Sequence, residues 1–263
     1  MNKLSKSILK IGLMMCGCFM LAQTAGAAVK QQVVALEAAG NIKDVSQEIT
    51  KAYFYKELEI RVVQAKRDIS EGLDRLDSAI VVLNKAASGD DEVKGVLTFI
   101  EFSRDEMKTT ITQPYSEENG AMMLDFSESL LEGATLIGQK QIVKNDTEQT
   151  GLISVKQMEF LLERINKYYI AHKAGFKDYN NVVQLKNAIE KFEANLKNVN
   201  AFSYPAALQP TIEKINKFWP IAKGFYLGIE KGSLPIIVMS STNNLERALH
   251  ALQDYHLKKM TVN

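Results

Sequence analysis

Beyond residue 30, apolar residues recur three and four positions apart, and no run alternates apolar with polar as a half-buried strand would. That pattern restricts the chain to an all-α fold. Eight helices are predicted: 30–58, 63–87, 91–112, 118–144, 148–173, 178–199, one opening near Pro210, and 235–259. The second carries Ile69, Leu73, Leu76, Ile80 and Leu83 on one face, and the third carries Val96, Phe99 and Phe102. The fourth runs through Met123, Phe126, Leu130, Leu131 and Ala134, and the fifth through Met158, Leu161, Ile165 and Tyr169. Ser88-Gly89-Asp90 supplies a stop and a new N-cap, Asn145-Asp146-Thr147 a break, and Gly175 and Gly232-Ser233 two further ends. Pro220 kinks or restarts the seventh helix, because proline removes a backbone donor and clashes with the preceding turn.

The first 28 residues read as a signal peptide. Lys3, Lys6 and Lys10 precede an apolar stretch from Ile11 to Ala22, and Ala25-Gly26-Ala27 is a small-residue cleavage site. The expectation is a periplasmic protein. The alternative is an inner-membrane anchor through residues 11–28, although the apolar run is short of the roughly 20 residues a span needs. Both cysteines, Cys16 and Cys18, fall in this leader. The mature chain therefore has no disulfide, thiol nucleophile or thiolate metal ligand. The leader holds three lysines and no acid, so the net charge of +1 falls to −2 once it is removed. Lysines and acids are interspersed, which argues against a nucleic-acid partner.

The second half repeats the first at an offset of about 116 residues. Ile49, Lys51 and Tyr53 land on Ile165, Lys167 and Tyr169, and the stripe of the second helix lands on Leu185, Ile189, Phe192, Leu196 and Val199. Val96, Phe99 and Phe102 land on Ile212, Ile215 and Phe218. In the fourth helix the offset drops by about two, so that Met123 meets Ile237 and Leu131 meets Leu245, as if the loop before the eighth helix had lost two residues. Four amphipathic helices can bury their stripes in an antiparallel bundle, so the expected architecture is two tandem four-helix bundles, residues 29–145 and 146–263.

One stretch is more specific. In Ala39-Gly40-Asn41-Ile42-Lys43-Asp44-Val45-Ser46-Gln47-Glu48-Ile49-Thr50-Lys51-Ala52-Tyr53, Gly40 interrupts an apolar face. Glycine there costs roughly 0.5–1 kcal/mol relative to alanine. Either another helix or a ligand comes close, or the helix starts only at Asp44. Ala39, Gly40, Ser46, Gln47, Ile49, Lys51 and Tyr53 resemble the first-helix motif of the periplasmic sensory domain of type IV pilus methyl-accepting chemotaxis transducers and nitrate/nitrite sensor kinases, the PilJ/NarX-like N-terminal domain. Arg164, Ile165, Lys167 and Tyr169 match the end of the motif in the second copy. Trp219 and Leu234-Pro235 stand where that family has a third-helix tryptophan and a Leu-Pro opening to its fourth helix. The resemblance implies an all-helical extracytoplasmic module that pairs through its first helices, as a homodimer or, here, as an intramolecular pseudo-dimer of helices 1 and 5. That contact would bring Asn41 and Lys43 near Gln157 and Glu159.

In the family's nitrate sensors the motif's first arginine holds the anion. Asn41 and Gln157 occupy that position in the two copies, and Lys43 and Glu159 occupy the second arginine's. Neutral amides lack the bidentate, charge-assisted pair a guanidinium offers, which argues against nitrate. The candidate ligand-binding residues are Gly40, Asn41, Lys43, Ser46, Gln47, Gln157 and Arg164.

Enzymatic chemistry has no visible motif. Glu246 and His250 are four apart and lack the companion pair of a di-metal bundle, and His172, His250 and His256 read as exposed helix-end residues. No nucleophile elbow or phosphate loop occurs. The carboxylates read as solvated, and Tyr53, Tyr55, Tyr168 and Tyr169 as core packing or the lining of a small pocket. No cofactor and no catalytic or metal-binding residues are expected. The expected function is a non-enzymatic periplasmic ligand-binding or sensory module that recognises a small molecule and signals by contact with an envelope or membrane sensor protein. The alternative is a structural or chaperone-like envelope protein without a small-molecule ligand. A cleft between helices 1 and 5 with convergent polar groups would favour the first.

Overall fold

The computed structural model describes residues 32–86, 90–140, 147–231 and 235–262. The leader at 1–28 with its two cysteines lies outside the described residues, as do Ser88-Gly89, Asn145-Asp146, Gly232-Ser233 and Leu234. The chain folds into helices α1 (32–57), α2 (Val62–Ala86), α3 (Asp91–Thr112), α4 (Glu117–Lys140), α5 (Thr147–Lys173), α6 (Tyr179–Ala201), α7 (Gln209–Leu227) and α8 (Pro235–Val262). Short 3-10 turns, Ala206–Leu208 and Ile229–Lys231, flank α7. Among the described residues there is no strand, and no helix long and apolar enough to cross a membrane.

Local chemistry sets the helix ends. Asp90 caps α3, its Oδ1 accepting from the amides of Glu92 at 3.0 Å and Val93 at 3.1 Å. Asp178 caps α6 through Asn181 N, and Ser116 Oγ caps α4 through Asn119 N. Gly175 ends α5 at φ 111°, which lets Phe176 N reach back to Ala171 O at 3.0 Å. α7 stays helical through Pro220, which is exposed. α1 is helical on both sides of Gly40, so the break before Asp44 is not used.

α1 and α5 are the two helices around which the core assembles. Ile42, Val45, Ile49 and Tyr53 of α1, and Met158, Leu161, Ile165 and Tyr169 of α5, are all buried, and they correspond at an offset of about 116. Each such side chain contributes about 1.5–3 kcal/mol by leaving water. α5 packs on α6 and α8, α3 on α4, and α7 on α8, and the buried residues form one continuous core. Tyr53, Tyr55, Tyr168 and Tyr169 belong to that core.

Two sequence expectations fail in α3, α4 and α8. Phe99 and Phe102 are 47% and 59% exposed, and the buried face of α3 is Val93, Leu97, Ile100, Ser103 and Met107. Both apolar series have helical spacing. Packing on α4 selects the second, because Gly133 leaves room for Ile100. Nor does the offset fall to 114 in the last helix: Met123 is fully buried, whereas Ile237 is 43% exposed. Buried positions of α3 and α7 pair instead at about 119 residues, Ile100 with Trp219 and Met107 with Tyr226, and equivalent contacts carry the same offset into α4 and α8, since Lys167 meets Ser127 and Lys51 meets Glu246. The added residues lie between α6 and α7, where the Ala206–Leu208 turn is inserted, not before α8.

Candidate ligand-binding site

The site is built on the contact between α1 and α5. Lys156 Nζ donates to Asn41 Oδ1 at 2.8 Å, Lys43 Nζ to Gln157 Oε1 at 3.2 Å, and Lys51 Nζ to Glu163 Oε1 at 2.9 Å. The partners are separated in sequence by 115, 114 and 112 residues. So nearly constant a separation means that the helices run parallel, each residue of α1 facing close to its repeat equivalent on α5. Gly40 lies under the stem of Lys156, whose Cδ would stand 3.4 Å from a Cβ added there. The glycine admits the neighbouring helix.

Two clefts flank this contact. One, of about 220 Å³ between α1, α4 and α5, is lined by small and apolar residues including Ala39, Gly40, Ala134, Gly138 and Leu152. The other, of about 250 Å³ where α6 joins the same helices, is lined by Lys43, Gln157, Phe160, Arg164, Gln184 and Lys191 among others. Lys43 and Gln157 line both. Lys43 rests over the Phe160 ring at 5.1 Å, and burial lowers its pKa despite the charge of Asp44. Arg164 is fixed by Glu128 Oε1 at 2.6 Å and Gln184 Oε1 at 2.9 Å.

Of the seven expected residues, the structure brings Lys43, Gln157 and Arg164 to one cleft and Gly40 to the other. Asn41 is spent on Lys156 and otherwise borders α2. Ser46 and Gln47 are buried at the joint with α4, Ser46 Oγ donating to Lys43 O and Gln47 Nε2 to Ser127 O. They line neither cleft. Glu159 turns from α1 toward α8, 3.9 Å from His250 Nε2 and 3.7 Å from Lys156 Nζ.

The carboxylates are not all solvated. A charged seam runs between α1, α5 and α8. Lys51 Nζ lies 2.7 Å from Glu163 and 3.7 Å from Glu246, and Lys156 Nζ lies 3.8 Å from Asp44. Burial pushes the Asp44 carboxyl up to about 7 and those of Glu159 and Glu163 up to about 8, outweighing the neighbouring lysines. Burial alone would lower the pKa of Lys51, but the carboxyl groups of Glu163, Glu246 and Glu48 raise it. A second cluster joins α4 to α5. There Lys167, fully buried, donates to Ser127 Oγ at 2.8 Å and Glu128 Oε1 at 2.5 Å. Burial brings Lys167 down to about 8, while Glu128, although burial opposes it, is held at about 2 by Lys167 and Arg164.

The sequence carried a signal for these clusters. Residues 44, 48 and 51 on α1 and 156, 159, 163 and 167 on α5 follow the same three-and-four spacing as the core. The histidines also differ from expectation: His172 and His256 are buried, with Tyr204 Oη 2.9 Å from His256 Nε2, and only His250 is exposed. No protein-family model, curated protein or solved structure matches the chain.

Proposed function

We propose that this chain is a non-enzymatic periplasmic ligand-binding or sensory module that signals by contact with an envelope or membrane sensor protein. The observation that carries this reading is the parallel contact of α1 with α5, flanked by a cleft into which Lys43, Gln157 and Arg164 converge. In this reading each four-helix set is one PilJ/NarX-like module, and the α1–α5 contact is an intramolecular pseudo-dimer interface. A ligand between the two sets changes how one helix sits against the other, and the helix ends carry that change to a partner.

The polar lining of the cleft supports this over the structural or chaperone-like reading, whose best support is the exposed pair Phe99 and Phe102 on α3. The test is a thermal-shift screen of small anions, amines, carboxylates and neutral metabolites on the purified protein. A ligand present at about 100 times its dissociation constant adds roughly 2.7 kcal/mol of stability. If no compound of any class stabilises the fold, the ligand-binding reading is wrong and the surface-interaction reading stands.

A further inference from the structure

Resting on that reading, we propose that the cleft between α1, α4, α5 and α6 takes a small organic carboxylate, its charged end between Lys43, Arg164 and Lys191 and its apolar body on Phe160 and Leu161. The cleft is lined by three basic side chains and three amides, Gln157, Gln184 and Asn187; none of its lining residues is a carboxylate. Lys43 is held by the neutral Gln157 oxygen and the Phe160 ring, and among the described residues no carboxylate lies within salt-bridge distance of its Nζ. An incoming carboxylate supplies the missing counter-charge. Arg164 is oriented from behind by Glu128, whose oxygen also accepts from Lys167 and Tyr168. A guanidinium has five donors, and the two bonds to Glu128 and Gln184 leave others for a ligand.

The floor sets the rest of the ligand. Leu131, Phe160, Leu161 and Ala188 give apolar surface that an inorganic anion would leave uncovered. The volume of about 250 Å³ falls below the roughly 300–1,000 Å³ of sites for drug-sized molecules. The body is therefore a short branched chain or a single ring. The amides at the mouth suit a hydroxyl or amino substituent.

Calorimetric titration of the purified protein with isovalerate, benzoate and phenylacetate, against nitrate, benzyl alcohol and benzylamine, tests this. At least one carboxylate binds, and the alcohol and the amine do not. Lys43→Gln weakens that carboxylate about tenfold to a hundredfold, the loss of a charge-assisted hydrogen bond. Lys191 and Asn187 are exposed, so Lys191→Glu and Asn187→Trp keep the fold, which urea midpoints verify. The first weakens the carboxylate by charge reversal, and the second abolishes binding by filling the mouth. Carboxylate affinity unchanged in all three variants overturns the site. Nitrate binding as tightly as the carboxylates overturns the role of the floor. Binding of benzylamine or benzyl alcohol in place of every carboxylate overturns the ligand class while leaving a ligand-binding module intact. Silence from all the probes, with a hit elsewhere in the broader thermal-shift screen, overturns this inference alone, whereas silence in both removes the functional reading too.

Discussion

Glu128→Ala tests the electrostatic account of the α4–α5 joint. Glu128 Oε1 is shared by Lys167, Arg164 and Tyr168, and its side chain is 38% exposed. Removing one partner of a fully buried ion pair costs roughly 3–5 kcal/mol, and the partial exposure of Glu128 puts this joint at or below the low end. Lys167 has an escape. With Glu128 in place its pKa sits near 8, so its share of the loss at pH 7 is capped at about 1.4 kcal/mol, because without Glu128 it gives up its proton instead. Arg164 has no such escape, because a guanidinium does not deprotonate, and it loses a bond worth about 1.5–3 kcal/mol before discounting for solvent. The expected loss is about 3 kcal/mol at pH 7. It falls to about 1.5 kcal/mol at pH 9, where Lys167 is neutral with or without its partner. Urea unfolding followed by circular dichroism at both pH values measures this. In a Lys167→Met background the same Glu128→Ala change should cost about 1.4 kcal/mol less at pH 7. A loss below about 1 kcal/mol at pH 7, or one that is the same at pH 9, would show that Glu128 is not what keeps Lys167 charged.

The buried acids predict an inverted pH response. Asp44, Glu159 and Glu163 keep protons in the folded state that the unfolded chain has already released, an advantage complete below about pH 4 and lost as pH rises through 7–8. Stability should therefore fall between pH 5 and pH 7.5 by about 1.4 kcal/mol per unit for each retained proton, opposed by His172 and His250, whose burial lowers their pKa values. A urea midpoint that rises over this range refutes the assignment. Gly95 has nothing within 4 Å of its Cβ position and is exposed, so Gly95→Ala should stabilise by about 0.5–1 kcal/mol in thermal unfolding. Gly72→Ala should do the reverse, costing about 1–3 kcal/mol, because its Cβ would stand 2.7 Å from Ile49 Cγ1. Equal responses at the two glycines would mean that α1 and α2 are not in the close contact described.

How much was legible in the sequence varies along the chain. Asp90, Asp178 and Gly175 mark helix ends by local backbone chemistry, and a local signal is complete in the sequence. The faces of α2 and α6 were equally legible, because each carries a single apolar stripe, whereas α1 and α5 bury more than their stripes, Phe54, Leu162 and Ile170 among them. α3 carries two overlapping series, and the sequence gives no means of choosing between Phe99 and Ile100. The charged seam escaped for a related reason. Lys51, Asp44 and Glu163 have the composition of a solvated face, and only the arrival of a second helix along that face buries them.

The sequence by itself determined that the chain is all-helical, where most helices begin and end, and that the first, second, fifth and sixth of them correspond at a fixed offset. Periodicity and capping are properties of a few consecutive residues, so they need no partner to be read. The parallel seating of α1 on α5 was decided only by the tertiary structure. So were the offset of the remaining helices, the burial of Lys51 against Glu163, and the meeting of Lys43 with Gln157 and Arg164 at one cleft. Those are juxtapositions of residues more than a hundred positions apart, and which faces meet is set by the shape and volume of the whole core.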